Sequence, residues 1–325
     1  MRTSKAASTD VASGKSEHPV FYDALFRDTK ERVVTPPMFP KDAHFADTHA
    51  HLDMLHHPEL ALARCAAHRV GYVITVIDPT EDPLYILNNL DRWLLEAKGL
   101  ANTFTVGAKD AESITEQMPI VNIIAGCHPH NAARYDKKIE EDLLVTLADK
   151  RTRGLGEIGL DYHYDHSPRE VQRQVYRRQL ELAHEYQLPV ALHLREAHAD
   201  GLRILREVGA PPTGTLLHCF NLDYATLEPF LELGCHVAYG GPLTFKKSEE
   251  VRDAARRTPF ERIVTETDAP FMAPHPVRGV VCGPEHVIFT AACLVEARDI
   301  PAGDKEAQAL YDSLFQNALD FFGRP

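Results

Sequence analysis

From residue 44 onward, short apolar runs alternate along the chain with longer segments whose apolar residues recur every three or four positions. Eight runs are rich in Val, Ile, Leu and Ala: HFADTHAHL from His44, VGYVITVID from Val70, VNIIAGCHPH from Val121, GLGEIGLDY from Gly154, LPVALHLRE from Leu188, GTLLHCF from Gly214, CHVAYGG from Cys235 and RIVTETDAP from Arg262. Such alternation is typical of βα units and predicts a parallel sheet.

The segments between the runs have the pattern of surface helices. In EVQRQVYRRQLELAHEYQ, for example, Tyr176, Leu180 and Ala183 share one face while charged residues occupy the other. Two further helices, over residues 284–298 and 303–322, are expected to cover the flank of the sheet. Eight parallel strands with helices between them predict an α/β protein with a closed (β/α)8 TIM barrel.

Polar residues stand at or just after the C-terminal ends of these apolar runs. Six of them are potential metal ligands: His49, His51, Glu157, His193, His218 and Asp268. They come from the first and eighth runs alike, and an open doubly wound sheet would hold those two strands far apart. Only a closed ring brings all six together, so the barrel and the metal site are one prediction.

Taken singly, most of these residues are ambiguous. The pair His49 and His51 leaves one face of a strand, yet 18 histidines in 325 residues give about one such pair by chance. Glu157 lies in a glycine-rich apolar run that contains no arginine or lysine, where an unpaired carboxylate would cost several kcal/mol. A salt bridge is the alternative there, and His193 or His218 alone is typical of a core histidine. The complete set favours a metal site.

Composition narrows the class of protein. With 44% apolar and 25% charged residues the chain can form one soluble barrel, and no apolar stretch approaches the ~20 residues of a membrane span. The start of the chain lacks a secretory signal, so we expect a cytoplasmic protein.

Six dispersed cysteines predict free thiols. A net charge of −12 argues against a broad basic surface, so a phosphate-bearing substrate would need a local site.

Six motifs then carry a resemblance to a known family. FADTHAHLD, GCHPH, GEIGLDY, HLREA, LHCF and ETDAPFMAP occur in this order. Over residues 44–322 the chain resembles the TatD family of metal-dependent deoxyribonucleases, within the metal-dependent hydrolase type of TIM barrel. The resemblance implies two metal ions, with His49 and His51 on one, His193 and His218 on the other, and Glu157 bridging them. It also implies that Asp268 ligates the first ion beside the attacking water.

The implied centre is consistent with hydrolysis of phosphodiesters. Two divalent ions and two carboxylates leave a net positive site that attracts a phosphodiester and lowers the pKa of water. Asp268 is the candidate base and, with Glu157, a candidate catalytic residue. Imidazole and carboxylate ligands suit zinc, manganese, nickel or cobalt, and magnesium is possible. Cys219 is expected to face away from His218 and is not counted as a ligand.

Three residues are candidates for substrate binding. Arg195 follows His193 by two positions, and if the strand continues that far its guanidinium can hold a phosphate bidentately. His128 and His130 can contact substrate or protonate a leaving oxygen, with a structural role as the alternative. Lys246 and Arg278 lie in loops beyond the seventh and eighth strands, where solvation is the default interpretation and phosphate contact the minority one.

The chain departs from the family pattern in several places. We assign residues 1–43 to an N-terminal extension, disordered over 1–17, and residues 44–325 to the barrel. The segment 79–119 is unusually long and contains a helical stretch with Trp93. Leu194 and Cys282 replace a small hydroxyl residue and an asparagine, changes expected to bear on the substrate rather than on the metals.

The leading hypothesis is therefore a cytoplasmic two-metal hydrolase that cleaves phosphodiester bonds, in DNA from an end or in single strands. DNA or another phosphodiester is the expected partner, with no membrane and no obligate protein partner. One alternative is an amidohydrolase acting on a small amide, ester or lactone, although related barrels often use a carboxylated lysine where this chain has Glu157. The other is a binding protein that keeps metals for stability.

Overall fold

The computed structural model of the protein describes residues 23–104 and 118–323. The predicted disordered leader and residues 105–117 of the long 79–119 segment lie outside the described residues. The described part of the N-terminal extension begins with a small hairpin, in which β1 (Phe26–Arg27) pairs antiparallel with β2 (Val33–Val34).

All eight predicted runs form strands of one parallel sheet, and each strand pairs with its neighbours in sequence. The strands are β3 (Phe45–Ala50), β4 (Val70–Ile77), β5 (Ile120–Ala125), β6 (Thr152–Asp161), β7 (Val190–Arg195), β8 (Thr215–Leu217), β9 (His236–Tyr239) and β10 (Ile263–Thr265). The prediction of a (β/α)8 barrel is confirmed.

Helices follow the strands around the outside of the barrel. They are α1 (Pro58–Ala67), α2 (Pro83–Phe104), α3 (Lys137–Leu147), α4 (Arg169–Tyr186), α5 (His198–Val208), α6 (Tyr224–Glu232), α7 (Glu249–Arg257), α8 (Val287–Glu296) and α9 (Lys305–Phe322). The amphipathic segment singled out in the sequence is α4, and Trp93 is buried in α2. Both helices of the predicted final pair are present as α8 and α9.

The seam between β3 and β10 closes the barrel largely through side chains. The Thr48 hydroxyl donates to the Thr265 carbonyl at 3.1 Å, and the Thr265 hydroxyl donates to the Ala46 carbonyl at 2.8 Å. Just above, the buried Asp47 carboxylate accepts hydrogen bonds from the Thr267 hydroxyl and amide, at 2.6 and 2.9 Å. These bonds satisfy polar groups that a regular ladder would otherwise pair.

Backbone bonds complete the seam at its upper end. The Asp268 amide donates to the His49 carbonyl at 2.9 Å, and the His51 amide donates to the Ala269 carbonyl at 2.7 Å. Ala50 and Ala269 form an isolated parallel bridge between the same segments. Three of the predicted ligands therefore belong to the backbone that closes the ring.

The barrel interior is filled by one apolar cluster that receives residues from seven of the eight strands. Tyr72, Ile124 and Ala191 are among its members, and Phe321 and Phe322 at the end of α9 close it from below. Ala191, Leu216 and Val264 belong to this cluster, and the residues two positions after each of them stand one layer higher at the upper ends of β7, β8 and β10. That upper layer holds His193, His218 and Glu266, at the C-terminal mouth where barrel enzymes place their sites.

The N-terminal extension packs against the barrel over its described part. Phe26 is buried, with its ring 4.3 Å from the His68 ring and 4.9 Å from the Phe289 ring. The Arg64 guanidinium of α1 donates to the Asp23 carbonyl at 2.8 Å. Residues 23–43 therefore share the hydrophobic core of the barrel, although the sequence pattern only placed them before it.

Candidate metal centre

Glu157 stands at the centre of the predicted ligand set. It is 4% exposed, and its two oxygens face different histidine pairs. Oε1 lies 2.6 Å from His193 Nδ1 and 3.4 Å from His218 Nε2. Oε2 lies 3.4 Å from His49 Nε2 and 3.8 Å from His51 Nε2. One carboxylate thus divides the four imidazoles into the same two pairs that the resemblance implies.

Asp268 faces the first of these pairs and also His218 of the second. Its Oδ1 is 3.6 Å from His51 Nε2, 4.0 Å from His49 Nε2 and 3.9 Å from His218 Nε2. The residue has a left-handed backbone, with φ of 62°, which is uncommon for a residue other than glycine. Backbone strain of this kind recurs at functional sites, where the surrounding structure imposes it.

The donor set fits divalent cations. Both ring nitrogens of His49 are buried and make no hydrogen bond within the described chain, which is rare for buried polar atoms. Its Nε2 faces Glu157 and Asp268 at separations longer than a hydrogen bond, a spacing that suits atoms sharing one cation. The donor groups His49–His51–Glu157, His49–His218–Asp268 and His128–Glu157–His193 each lie within 4.8 Å of one another.

Two carboxylates that the sequence reading missed orient the second histidine pair. Asp161 accepts from His193 Nε2 at 3.1 Å, and Glu266 lies 3.1 Å from His218 Nδ1. Each imidazole is thereby fixed with its other nitrogen towards Glu157. A signal was present for Asp161, which lies in the same strand as Glu157 and four positions further along it, and Glu266 directly follows the end of β10.

Electrostatics couple the ligands to one another. Burial opposes ionisation of Glu157, but the imidazoles of His128, His218 and His193 hold its pKa well below the usual range. Burial likewise disfavours the charged form of His218, yet Glu266 and Glu157 raise its pKa to about 10. Burial also disfavours the charged form of His193, but Glu157 and Asp161 raise its pKa to about 9. Without an ion both imidazoles are therefore protonated at neutral pH, and binding of a cation must release those protons.

His128 and His130 lie beside this second histidine pair. His128 Nε2 is 3.5 Å from Glu157 Oε1, and burial lowers the His128 pKa to about 4. His130 Nε2 is 2.8 Å from the Asp161 carboxylate that also holds His193. The structure places both in the site, His128 close enough to be a further ligand. Their contact with substrate stays a prediction.

Arg195 was predicted to contact phosphate on the condition that the strand of His193 extends that far, and this condition is met. Strand β7 continues through Arg195, so the residue shares the inward face of His193. Its guanidinium lies 4.6 Å from the centre of the Tyr164 ring, which itself stacks on His166. The three side chains form one wall of the site.

Cys219 does not follow the alternation expected of it. Strand β8 ends at Leu217, and Cys219 has a left-handed backbone with φ of 48°. Its sulfur consequently lies within 4.8 Å of donor atoms of His218 and Glu266 instead of facing away from them. The prediction failed because strand geometry was extended two residues beyond the strand.

The two departures from the family pattern lie away from the ligands. The side chain of Leu194 faces α5, where it contacts Gly201 on the opposite side of β7 from His193. Cys282 is fully buried in the core. Cys282 therefore contributes nothing to the exposed surface of the site.

We expect Asp161→Asn and Glu266→Gln to weaken metal binding by about 10- to 100-fold each, because the amides no longer fix the imidazoles as the carboxylates do. Titration of chelator-stripped protein with Zn²⁺ or Mn²⁺ measures the affinity. Asp149→Asn, which removes a carboxylate paired with Arg151 at the opposite end of β6, is the control and should leave it unchanged. Equal metal affinities in all three variants would contradict the proposal that Asp161 and Glu266 orient the imidazoles.

A parallel eight-stranded barrel with imidazoles and carboxylates at its strand ends is the architecture of metal-dependent hydrolases. The family model described as TatD related DNase matches residues 46–323. The chain therefore belongs to the TatD family and is a metal-dependent hydrolase of that family. Within the described residues, no helix combines the length and apolarity that a membrane crossing requires.

Individual relatives agree with this assignment. The uncharacterized metal-dependent hydrolase YabD of Bacillus subtilis is 34% identical over 193 residues, 58% of this chain and 74% of that protein. The human 3'-5' RNA nuclease TATDN2 is 36% identical over 182 residues, 54% of this chain and 24% of that protein. The crystal structure of YJJV, a TatD homologue from Escherichia coli K12, has a TM-score of 0.69 at 26% identity, covering 86% of this chain and 98% of that one.

Proposed function

We propose that the protein hydrolyses phosphodiester bonds in single-stranded nucleic acid, working from an end. The observation that carries the proposal is the division of the Glu157 oxygens between two histidine pairs, since this arrangement suits two cations held on either side of one carboxylate. Two-metal sites of this kind are widespread among nucleases and phosphatases. The description of the family as DNases and the name of the human relative support a nucleic-acid substrate.

The proposed roles follow the distances to the two Glu157 oxygens. His49 and His51, with Asp268, would hold one cation, His193 and His218 the other, and Glu157 both. His218 also lies within reach of His49 and Asp268. When bound, the two cations supply positive charge at the phosphate and lower the pKa of the attacking water. The protein contributes fixed imidazoles in a buried setting, so that the site needs little rearrangement before the reaction.

Asp268 is the proposed base. Burial opposes ionisation of its carboxyl group, but the His51 imidazole 3.6 Å away and the imidazoles of His218 and His49 lower its pKa. The residue is therefore ionised at neutral pH. Its side chain remains 15% exposed, which leaves it open to the mouth of the barrel where an attacking water enters. A carboxylate so placed can accept the proton of that water.

Arg195 is the proposed clamp for the scissile phosphate. A guanidinium presents a planar set of donors that matches two phosphate oxygens. Stacking against Tyr164 holds the group in place before the substrate arrives, which reduces the entropy lost on binding. His128 and His130, on the same side of Glu157, are proposed to contact the substrate or the leaving group.

A substrate panel tests this proposal. Metal-loaded protein is incubated with single-stranded DNA and RNA labelled at either end, with duplex DNA, and with bis(p-nitrophenyl) phosphate. We expect cleavage of the single strands and of the small phosphodiester, with duplex cut more slowly, and the two labels distinguish removal from the 3' or the 5' end.

The same panel includes lactones and N-acyl amines. Robust turnover of these compounds with inert phosphodiesters would favour the amidohydrolase alternative. Stability that depends on metal, with no turnover of any ester, would favour a structural role for the ions instead.

A further inference from the structure

A basic cleft opens beside the metal centre, between the loops that follow β9 and β10. It has a volume of about 520 Å³ and is lined by Phe245, Lys246, Lys247, Ser248, His275 and Arg278. The proposed hydrolysis does not use any of these side chains. The cleft therefore requires a separate explanation.

Both loops start at the metal centre. The loop after β9 begins at Gly240, where a Cβ atom would lie 3.6 Å from the side chain of Glu266. The loop after β10 includes Asp268, whose carbonyl accepts a hydrogen bond from the Phe271 amide at 2.8 Å. The Phe271 ring is 42% exposed and lies 6.3 Å from the His51 ring. An exposed aromatic ring thus stands where the site leads into the loop that carries the cleft.

The two loops are joined to each other along the cleft. The His275 amide donates to the Thr244 hydroxyl at 2.7 Å, and the backbone of Gly241 packs against the Met272 carbonyl. The hairpin of the N-terminal extension adds support from behind, since Thr29 lies against Gly279. The cleft is consequently a fixed part of the barrel mouth.

Charge in the cleft is uncompensated. Lys246, Lys247 and Arg278 form no ion pair with a carboxylate in the described part of the chain, and Arg278 stacks on the Phe245 ring at 4.0 Å. In the adjacent α7, by contrast, Glu249 is paired with both Arg252 and Arg256. Three free cations in one cleft of a protein with net charge −12 indicate an anionic ligand.

We propose that the basic cleft binds the phosphate backbone of a single nucleic-acid strand, at nucleotides beyond those held at the metal centre. An exposed aromatic ring next to a group of cations suits such a strand, because a base can stack on Phe271 while phosphates contact Lys246, Lys247 and Arg278. A lone small anion would leave the exposed Phe271 ring without a partner. This inference rests on the proposed function, since it assigns the cleft to the same substrate.

The cleft should therefore affect long substrates and leave short ones unchanged. The variant Lys246→Ala/Lys247→Ala/Arg278→Ala tests this. Its matched control, Lys41→Ala/Lys98→Ala/Lys150→Ala, removes three exposed lysines that form no ion pair within the described residues, so both variants change the net charge equally. Binding to metal-loaded protein is followed by fluorescence anisotropy with phosphorothioate DNA and RNA of about 12 nucleotides, which keep the backbone charge and resist cleavage.

We expect the cleft variant to bind both oligonucleotides at least about 10-fold more weakly than the wild type, and the control variant to change by less than about 2-fold. The dependence of log affinity on log salt should become shallower by about 2, near 0.7 for each lost phosphate contact on a single strand. Hydrolysis of bis(p-nitrophenyl) phosphate should be unchanged in the cleft variant.

Equal binding by the cleft and control variants would overturn the inference, as would inorganic phosphate that displaces the oligonucleotide at micromolar concentration. Failure of the wild type to cleave any phosphodiester would instead reject the proposed function. The anisotropy measurement does not require cleavage, so it decides the role of the cleft in either case.

Discussion

Glu157→Ala should reduce kcat/KM for a phosphodiester by about 10³-fold or more and lower the bound metal from two ions to at most one. Its two oxygens face all four imidazoles of the two pairs, whereas Asp268 Oδ1 comes within 4.0 Å of only three of them. Loss of transition-state stabilisation by the ions accounts for several kcal/mol. Metal content by mass spectrometry and initial rates on bis(p-nitrophenyl) phosphate measure the two effects.

Two further variants make this result interpretable. Glu157→Gln keeps the volume of the side chain while removing its charge, so a rate loss equal to that of the alanine variant assigns the effect to the carboxylate and not to a cavity. Glu140→Gln removes a carboxylate of α3 that is paired with Arg178 on α4, and it should leave both rate and metal content at wild-type values. An active Glu157→Ala protein that still binds two ions would place the metal centre elsewhere.

Asp268→Asn should reduce kcat by about 10²- to 10⁴-fold, the contribution expected of a positioned general base. Asparagine tolerates the left-handed backbone of this position. The hydrogen bond from the backbone N–H of residue 268 to the His49 carbonyl does not involve the side chain, so it is kept. The barrel should therefore fold normally. KM for bis(p-nitrophenyl) phosphate should change much less than kcat, because the groups proposed to contact the phosphate are untouched.

Metal analysis of the same variant separates two roles. If Asp268→Asn retains two ions and loses turnover, the carboxylate acts on the attacking water. A parallel loss of one ion and of turnover would show that Asp268 serves as a ligand only. Turnover within about threefold of wild type would exclude it as the base.

Much of the fold followed from the sequence because the barrel repeats one simple unit. Each apolar run is short and is followed by an amphipathic segment, so eight runs predicted eight parallel strands. The six ligands then required closure, since they come from the first and eighth runs. The resemblance supplied their division into two pairs, to which the geometry around Glu157 corresponds.

What the sequence did not reveal depends on places where regular geometry ends. The left-handed backbone at Cys219 turns its side chain towards Glu266, and alternation along a strand cannot predict such a turn. Asp161 was overlooked because a single carboxylate near a strand end is usually solvated. The basic cleft combines residues of two loops whose relative position is set by contacts such as that between His275 and Thr244.

The seam of the barrel also determines the stage of protein synthesis at which the site can form. The hydrogen bond between Thr48 and Thr265 joins residues that are 217 positions apart. Asp268 follows Thr265 in the sequence and is therefore synthesised after it. During synthesis, a ribosome-bound chain that has not yet extended past β10 has neither a closed ring nor a complete set of ligands. Under the proposed function, we therefore expect chains that end before Asp268 to be unable to hydrolyse phosphodiesters.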